Sequence, residues 1–165
     1  MKHDQAEVER RLLNMVRYGT ITAVDAANGR ARVSFGGETE SAWLPFTGGR
    51  AGGARVWTPP TVGEQVLILS PSGDTAQGVI TGSIASDANP APSADGGAVV
   101  LKLGATTVTV TASGATIEVG GVSLAISGAG VAITGGQVTH NGKNIGSTHQ
   151  HSGVVAGPAN TGAPV

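Results

Sequence analysis

The chain has 165 residues, room for one ordinary domain or one small domain with an extension. It has no cysteine, which excludes disulfides and thiolate metal sites, and its net charge of -1 gives no electrostatic case for nucleic acid. No run of about 18 apolar residues offers a helical membrane span. The charged start, MKHDQAEVER, lacks the apolar centre of a signal peptide, so synthesis in the cytoplasm is expected.

Residues 1–16 predict a short amphipathic helix, best formed over 4–16. Val8, Leu12 and Met15/Val16 share one face, and Asp4 followed by Glu7 resembles a helix start. The helix packs either on its own domain or on a neighbouring subunit.

Residues 17–85 read as about five short strands. RYGTITAVDA runs into the turn ANGR, where Asn28-Gly29 signals a hairpin. RARVSFG alternates Ala31, Val33 and Phe35 against Arg32 and Ser34. SAWLPF carries an edge-type proline, GARVWTPP holds the second tryptophan, and VGEQVLILSPSGD and TAQGVITGSI follow. Strands without helical punctuation over this length predict a small barrel of the OB type. It holds all the Trp and Phe of the chain, so the conventional core is expected here. Residues 86–98, SDANPAPSADGGA, read as a linker.

Residues 99–139 change character. Their only charges are Lys102 and Glu118, and no aromatic is present. Val108/Val110, Ile117/Val119, Val122/Leu124/Ile126 and Val131/Ile133 alternate with Thr, Ser or Ala, and glycines break the runs at 104, 114, 120–121, 128–130 and 135–136. Such slender strands cannot bury a core alone, and one copy leaves strand edges open. Three chains wound about one axis would turn apolar positions inward, pair edges between chains and leave Thr and Ser outside. A single-chain solenoid is the rival, but the breaks look irregular and no six-residue phase holds. The expected fold class is therefore all-β: a short N-terminal helix, an OB barrel, then an intertwined triple-stranded β-helix in a trimeric spike.

Residues 140–165 contain His149 and His151, one residue apart in STHQHSGV. On a strand, positions i and i+2 face one way, and on a threefold axis they would supply six imidazoles. Six ligands suit Fe(II), Co or Ni better than tetrahedral Zn. The alternative is a solvated histidine pair in a tail. His140 is expected at a surface or subunit contact, and His3 in solvent.

An enzyme is not expected. A glycosidase needs two carboxylates in a cleft, and residues 94–165 hold only Asp95 and Glu118; a hydrolytic metal at His149 and His151 has no nearby acid. A binding fibre would show exposed aromatics at its tip, and residues 86–165 have none. Trp43, Phe46, Arg50, Arg55 and Trp57 are close in sequence, as in a single-strand-binding OB groove, but read better as core and a docking surface.

Three stretches carry a family resemblance: RLLNMVRYGTITAVDAANGRARV (11–33), WTPPTVGEQVLILSPSGD with GVITGSIASDANPAPS (57–74 and 78–93), and HNGKNIGSTHQHSGV (140–154). The chain resembles baseplate assembly protein V, the central tail spike of contractile-tailed phages of the P2 and Mu kind. The resemblance implies a homotrimer in the virion, at the tip of the tail baseplate. Its OB end would dock on tail-tube or hub proteins, and its apex would cross the host outer membrane when the sheath contracts. It implies one iron, as Fe(II), per trimer held by His149 and His151 of three chains, with further ions near the apex as an open alternative. No nucleic-acid partner is expected. Tips of contractile bacteriocins and of type VI secretion are similar; a trimeric adhesin or receptor-binding fibre is the alternative from another functional class.

Overall fold

A computed structural model describes residues 2–150, 152–153 and 157. The chain divides into two compact units, residues 1–91 and 92–165. Among the described residues, no helix is long and apolar enough to cross a membrane.

The first unit begins with helix α1, Lys2–Asn14. It starts two residues earlier than the sequence predicts, which places Asp4 inside the first turn, where the helix dipole favours an acid. It also ends earlier, because Met15 leaves the helix to accept a 2.8 Å hydrogen bond from the Ser70 N–H. Glu7 does not cap; it holds Arg10 and Arg11 at 2.8 and 2.7 Å.

Seven strands follow: β1 (Val16–Asp25), β2 (Arg30–Ser34), β3 (Leu44–Pro45), β4 (Arg50–Ala51), β5 (Arg55–Val56), β6 (Gln65–Leu69) and β7 (Val79–Ile84). The main sheet has the order β3-β2-β1-β6-β7, and β4 with β5 forms a separate small hairpin. Gly29, at φ 63°, closes the β1–β2 connection at the Asn-Gly turn read from the sequence. A bridge from Phe46 to Ile80, with the Thr47 N–H donating to the Ile80 carbonyl at 2.9 Å, joins the two ends of the sheet into a barrel.

The barrel core is aliphatic: Ile21, Ala31, Val33, Leu44, Val66, Ile68 and Ile80. Burying each larger side chain contributes about 2 kcal/mol. Ala31 and Val33 point inward as their alternation predicts, and Phe35 packs against the cluster's margin. The tryptophans differ from expectation. Trp43 is 42% and Trp57 60% exposed, because each lies just outside a two-residue strand, Trp43 before β3 and Trp57 after β5.

The 86–98 stretch is tied down at its start. Ser86 and Asn89 exchange backbone hydrogen bonds, and the Asn89 side-chain amide donates to the Gly63 carbonyl at 3.1 Å.

The second unit contains β8 (Val99–Leu103), β9 (Thr106–Thr111), β10 (Gly114–Val119), β11 (Val122–Ser127) and β12 (Gly130–Thr134). They form one antiparallel meander in chain order. Two sequence expectations change here. Interior strands pair with their neighbours in the same chain, so only the outer edges of β8 and β12 are left for pairing with another chain. The breaks are also regular: β9 to β12 begin at 106, 114, 122 and 130, eight residues apart. The Ala112-Ser113 turn lacks glycine, which hides that phase in the sequence. A final hairpin pairs β13 (Thr139–His140) with β14 (Lys143–Asn144).

Candidate functional site

The meander's register sorts its side chains completely by face. One face carries the cross-strand row Leu101, Val108, Ile117, Leu124, Ile133, flanked by the row Val99, Val110, Ala115, Ile126, Val131. The opposite face carries Lys102, Thr107, Glu118, Ser123, Thr134 and Val100, Thr109, Thr116, Ala125, Ala132. No residue of the five strands is buried, and Leu101, Val131 and Ile133 stand 60%, 66% and 48% exposed. A contiguous exposed apolar face of this kind is characteristic of an interaction surface.

The apex of the second unit is built by local hydrogen bonding. Asn141 and Gly142 both have positive φ, 47° and 75°, as a two-residue type I′ turn requires, which explains the Asn-Gly pair in HNGK. His140 is exposed opposite Lys143. The Ile145 N–H donates to the Val138 carbonyl at 2.8 Å. Beyond it, the Asn144 side chain accepts from the Gly146 N–H and donates to Thr148 Oγ1, both at 2.8 Å.

His149 does not lie on a strand. It closes a turn whose N–H donates to the Gly146 carbonyl at 3.1 Å, and its ring Nδ1 lies 2.7 Å from that same oxygen. The carbonyl can only accept, so Nδ1 is the donor in this contact. His151, the second expected ligand, lies outside the described residues. Among the described residues of one chain, no three His, Cys, Asp or Glu side chains gather to hold a metal.

On the first unit, Phe46 and Trp57 meet with ring centroids 5.6 Å apart. The Arg32 guanidinium lies 5.9 Å from the Trp43 ring and pairs with Glu40 at 2.8 Å. Arg50 and Arg55 sit on the small β4–β5 hairpin. The pairing of Arg32 with Trp43 is one that linear spacing does not reveal, since the two are eleven positions apart. Helix α1 leaves Val8, Leu12 and Leu13 exposed, so these apolar side chains do not pack on the first unit.

Residues 17–84 match the family described as the type VI secretion system/phage-baseplate injector OB domain. The chain is also similar to the spike protein of Escherichia phage P2, with 41% identity over 96 residues. That alignment covers 58% of this chain and 45% of the relative, so the chain matches somewhat under half the relative's length. The spike-family resemblance read from the sequence is borne out.

Proposed function

Starting from a chain whose residues 17–84 match the type VI secretion system/phage-baseplate injector OB domain, we propose that it is the membrane-piercing spike at the tip of a contractile phage tail, acting as a homotrimer. The observation that carries this reading is the uncovered apolar face of the β8–β12 meander. Three such faces turned toward a common axis give a β-prism with a dry interior and a Thr/Ser exterior. Such a prism differs from the intertwined helix expected from the sequence, since most of its backbone pairing lies inside each chain.

The mechanism is mechanical. The OB barrel docks on tail-tube or hub proteins and passes on the axial thrust of the contracting sheath. The meander ladders spread that load over many backbone hydrogen bonds. Small, weakly charged side chains keep the needle narrow and limit the desolvation cost of crossing the host outer membrane. At the apex, His149 and His151 of three chains would hold one metal ion, best an Fe(II). The ion would supply a cross-link between the chains. No catalytic step and no nucleic acid enter this reading.

A second reading has one observation in its favour. The matched family is described for type VI secretion as well as phage baseplates, so the same spike could tip a type VI-like or bacteriocin particle. The decisive experiment is the mass of the purified protein by light scattering, with metal content measured on the same sample. Three chains with about one iron support the spike; a metal-free monomer overturns it.

A further inference from the structure

Two apolar surfaces of the first unit are left uncovered by the chain itself. One lies on the outer face of the barrel. The register sets Val16, Leu69 and Val79 side by side across β1, β6 and β7. Met15 and Pro71 extend this row into a groove that no charged residue lines. The other surface is the stripe of helix α1 formed by Val8 and Leu12, one turn apart and both exposed. The chain cannot lay its own stripe in its own groove. Asn14 ends the helix and Val16 begins β1, so Met15 is the whole connection and leaves no slack for the helix to double back.

We propose that helix α1 of one copy seats its Val8–Leu12 stripe in the Val16–Leu69–Val79 groove of the next, so that three chains close a ring head to tail through their first units. The inference rests on the homotrimer of the proposed function. Stripe and groove are different patches of one surface, so the contact is heterologous, and three such contacts close under threefold rotation.

Charge favours the same occupant. Glu9 flanks the stripe, and among the described residues it takes part in no ion pair. Pro71 separates the groove from a recess lined by Arg10 and Arg11. Arg11 gives only its Nε to Glu7, which leaves both terminal nitrogens as donors for an incoming acid. Asp74, also in the recess, has its two oxygens taken by the Ala76 N–H and the Gln77 side-chain amide. A seated helix thus brings an unpaired carboxylate to a rim that has guanidinium donors to spare. Packing the three helices on one another is the poorer choice. A parallel bundle with Val8 and Leu12 at its seam sets Asp4 of one helix against Glu9 of the next, two like charges. A helix of 13 residues is about 20 Å long, a small part of a stable interface, so this seat adds to the meander contact and does not replace it.

The test exploits a chain without cysteine, in which introduced thiols report with no background. Two differently tagged full-length chains are co-expressed, one with Val8→Cys and the other with Leu69→Cys, and oxidised gently. The tags separate a link between chains from one within a chain. The control pairs Val8→Cys with Val62→Cys, an exposed position in the loop before β6. Mass is measured by light scattering on the same samples.

The expected result is a trimer in which the two tags become disulfide-linked through positions 8 and 69 and not through 8 and 62. A trimer whose tags join no more readily than in the control overturns this inference and leaves the spike reading standing; it is the result expected if a helix bundle or another tail protein covers the stripe. A monomer overturns both.

Discussion

Ile117 and Leu124 stand directly opposite each other across β10 and β11, on the same face of the meander. Their neighbours in the row, Val108 and Ile133, continue the apolar stripe outward. Thr116, one residue from Ile117, points to the other face. The two positions therefore separate assembly from surface chemistry. Ile117→Asp would bury an unpaired charge at the chain–chain contact, at a cost of several kcal/mol. The expected outcome is loss of the trimer by light scattering. Thr116→Asp or Thr109→Asp should leave the trimer intact but lower infectivity or membrane penetration, because a charge then travels on the outer wall. Equal effects of Ile117→Asp and Thr116→Asp on mass would contradict the assigned inner face.

Helix α1 is held at Gly73. This glycine has φ 71°, and a Cβ on it would fall on the backbone of Arg11. Gly73→Ala combines a left-handed conformation with that collision, a penalty of about 1–3 kcal/mol. Hydrogen exchange should show faster opening of α1 while the amides of Val66 and Ile68 keep their protection. Uniform loss of protection through the barrel would mean the helix contact is integral to the core.

The hydrogen bonds from Arg10 and Arg11 hold the Glu7 carboxyl down at about 2, from an ordinary 4.5. A lowered folded-state value contributes stability that is complete above the unfolded value. That contribution is lost as the pH falls from 4.5 toward 2. The helical signal of α1 should therefore weaken across that acid window and not at neutral pH. Glu7→Gln should remove this component. Carboxyl NMR gives the direct check: a Glu7 midpoint near 4.5 would mean the arginine clamp does not form in solution.

Removal of the metal should loosen the second unit first. A ligand bound at a hundred times its Kd adds about 2.7 kcal/mol to the folded state. Chelation should then lower the apparent melting temperature of the apex by about 10 °C. His149→Ala should reproduce this shift and become insensitive to chelator. An unchanged melting curve in both cases would leave the apex without a stabilising ion.

The barrel was legible wherever alternation and turn chemistry agreed. Ala31 and Val33 point inward, and Asn28-Gly29 turns the chain. Misreadings came where small residues carry little local signal. The eight-residue phase of the meander escaped notice because Ala112-Ser113 turns without glycine, while glycine also opens β10 and β12 within the strands themselves. The aromatic content of 17–85 points to the right domain for the core, but Trp43 and Trp57 flank two-residue strands and lie outside the alternation that turns side chains inward. At the apex the residue types were readable but their geometry was not. His149 leaves the strand pattern because Asn144 and Gly146 draw the backbone into a turn, and a side chain bonding two to four residues along has no hydropathic period to betray it.

The even length of the meander's repeat sets how such a sheet can change size. Side chains that share a face on adjacent strands are an odd number of residues apart, as Val108 with Ile117 and Leu124 with Ile133 are, so a step of eight, from Val108 to Thr116, carries the chain to the other face. Two modules return it to the first face, as Val108 and Leu124 show. A gain or loss of two modules therefore alters the sheet by two strand widths, about 9.6 Å, without moving any side chain from one face to the other. A gain or loss of one module would turn every later strand inside out. Length in this meander is thus a quantised trait, counted in pairs of strands.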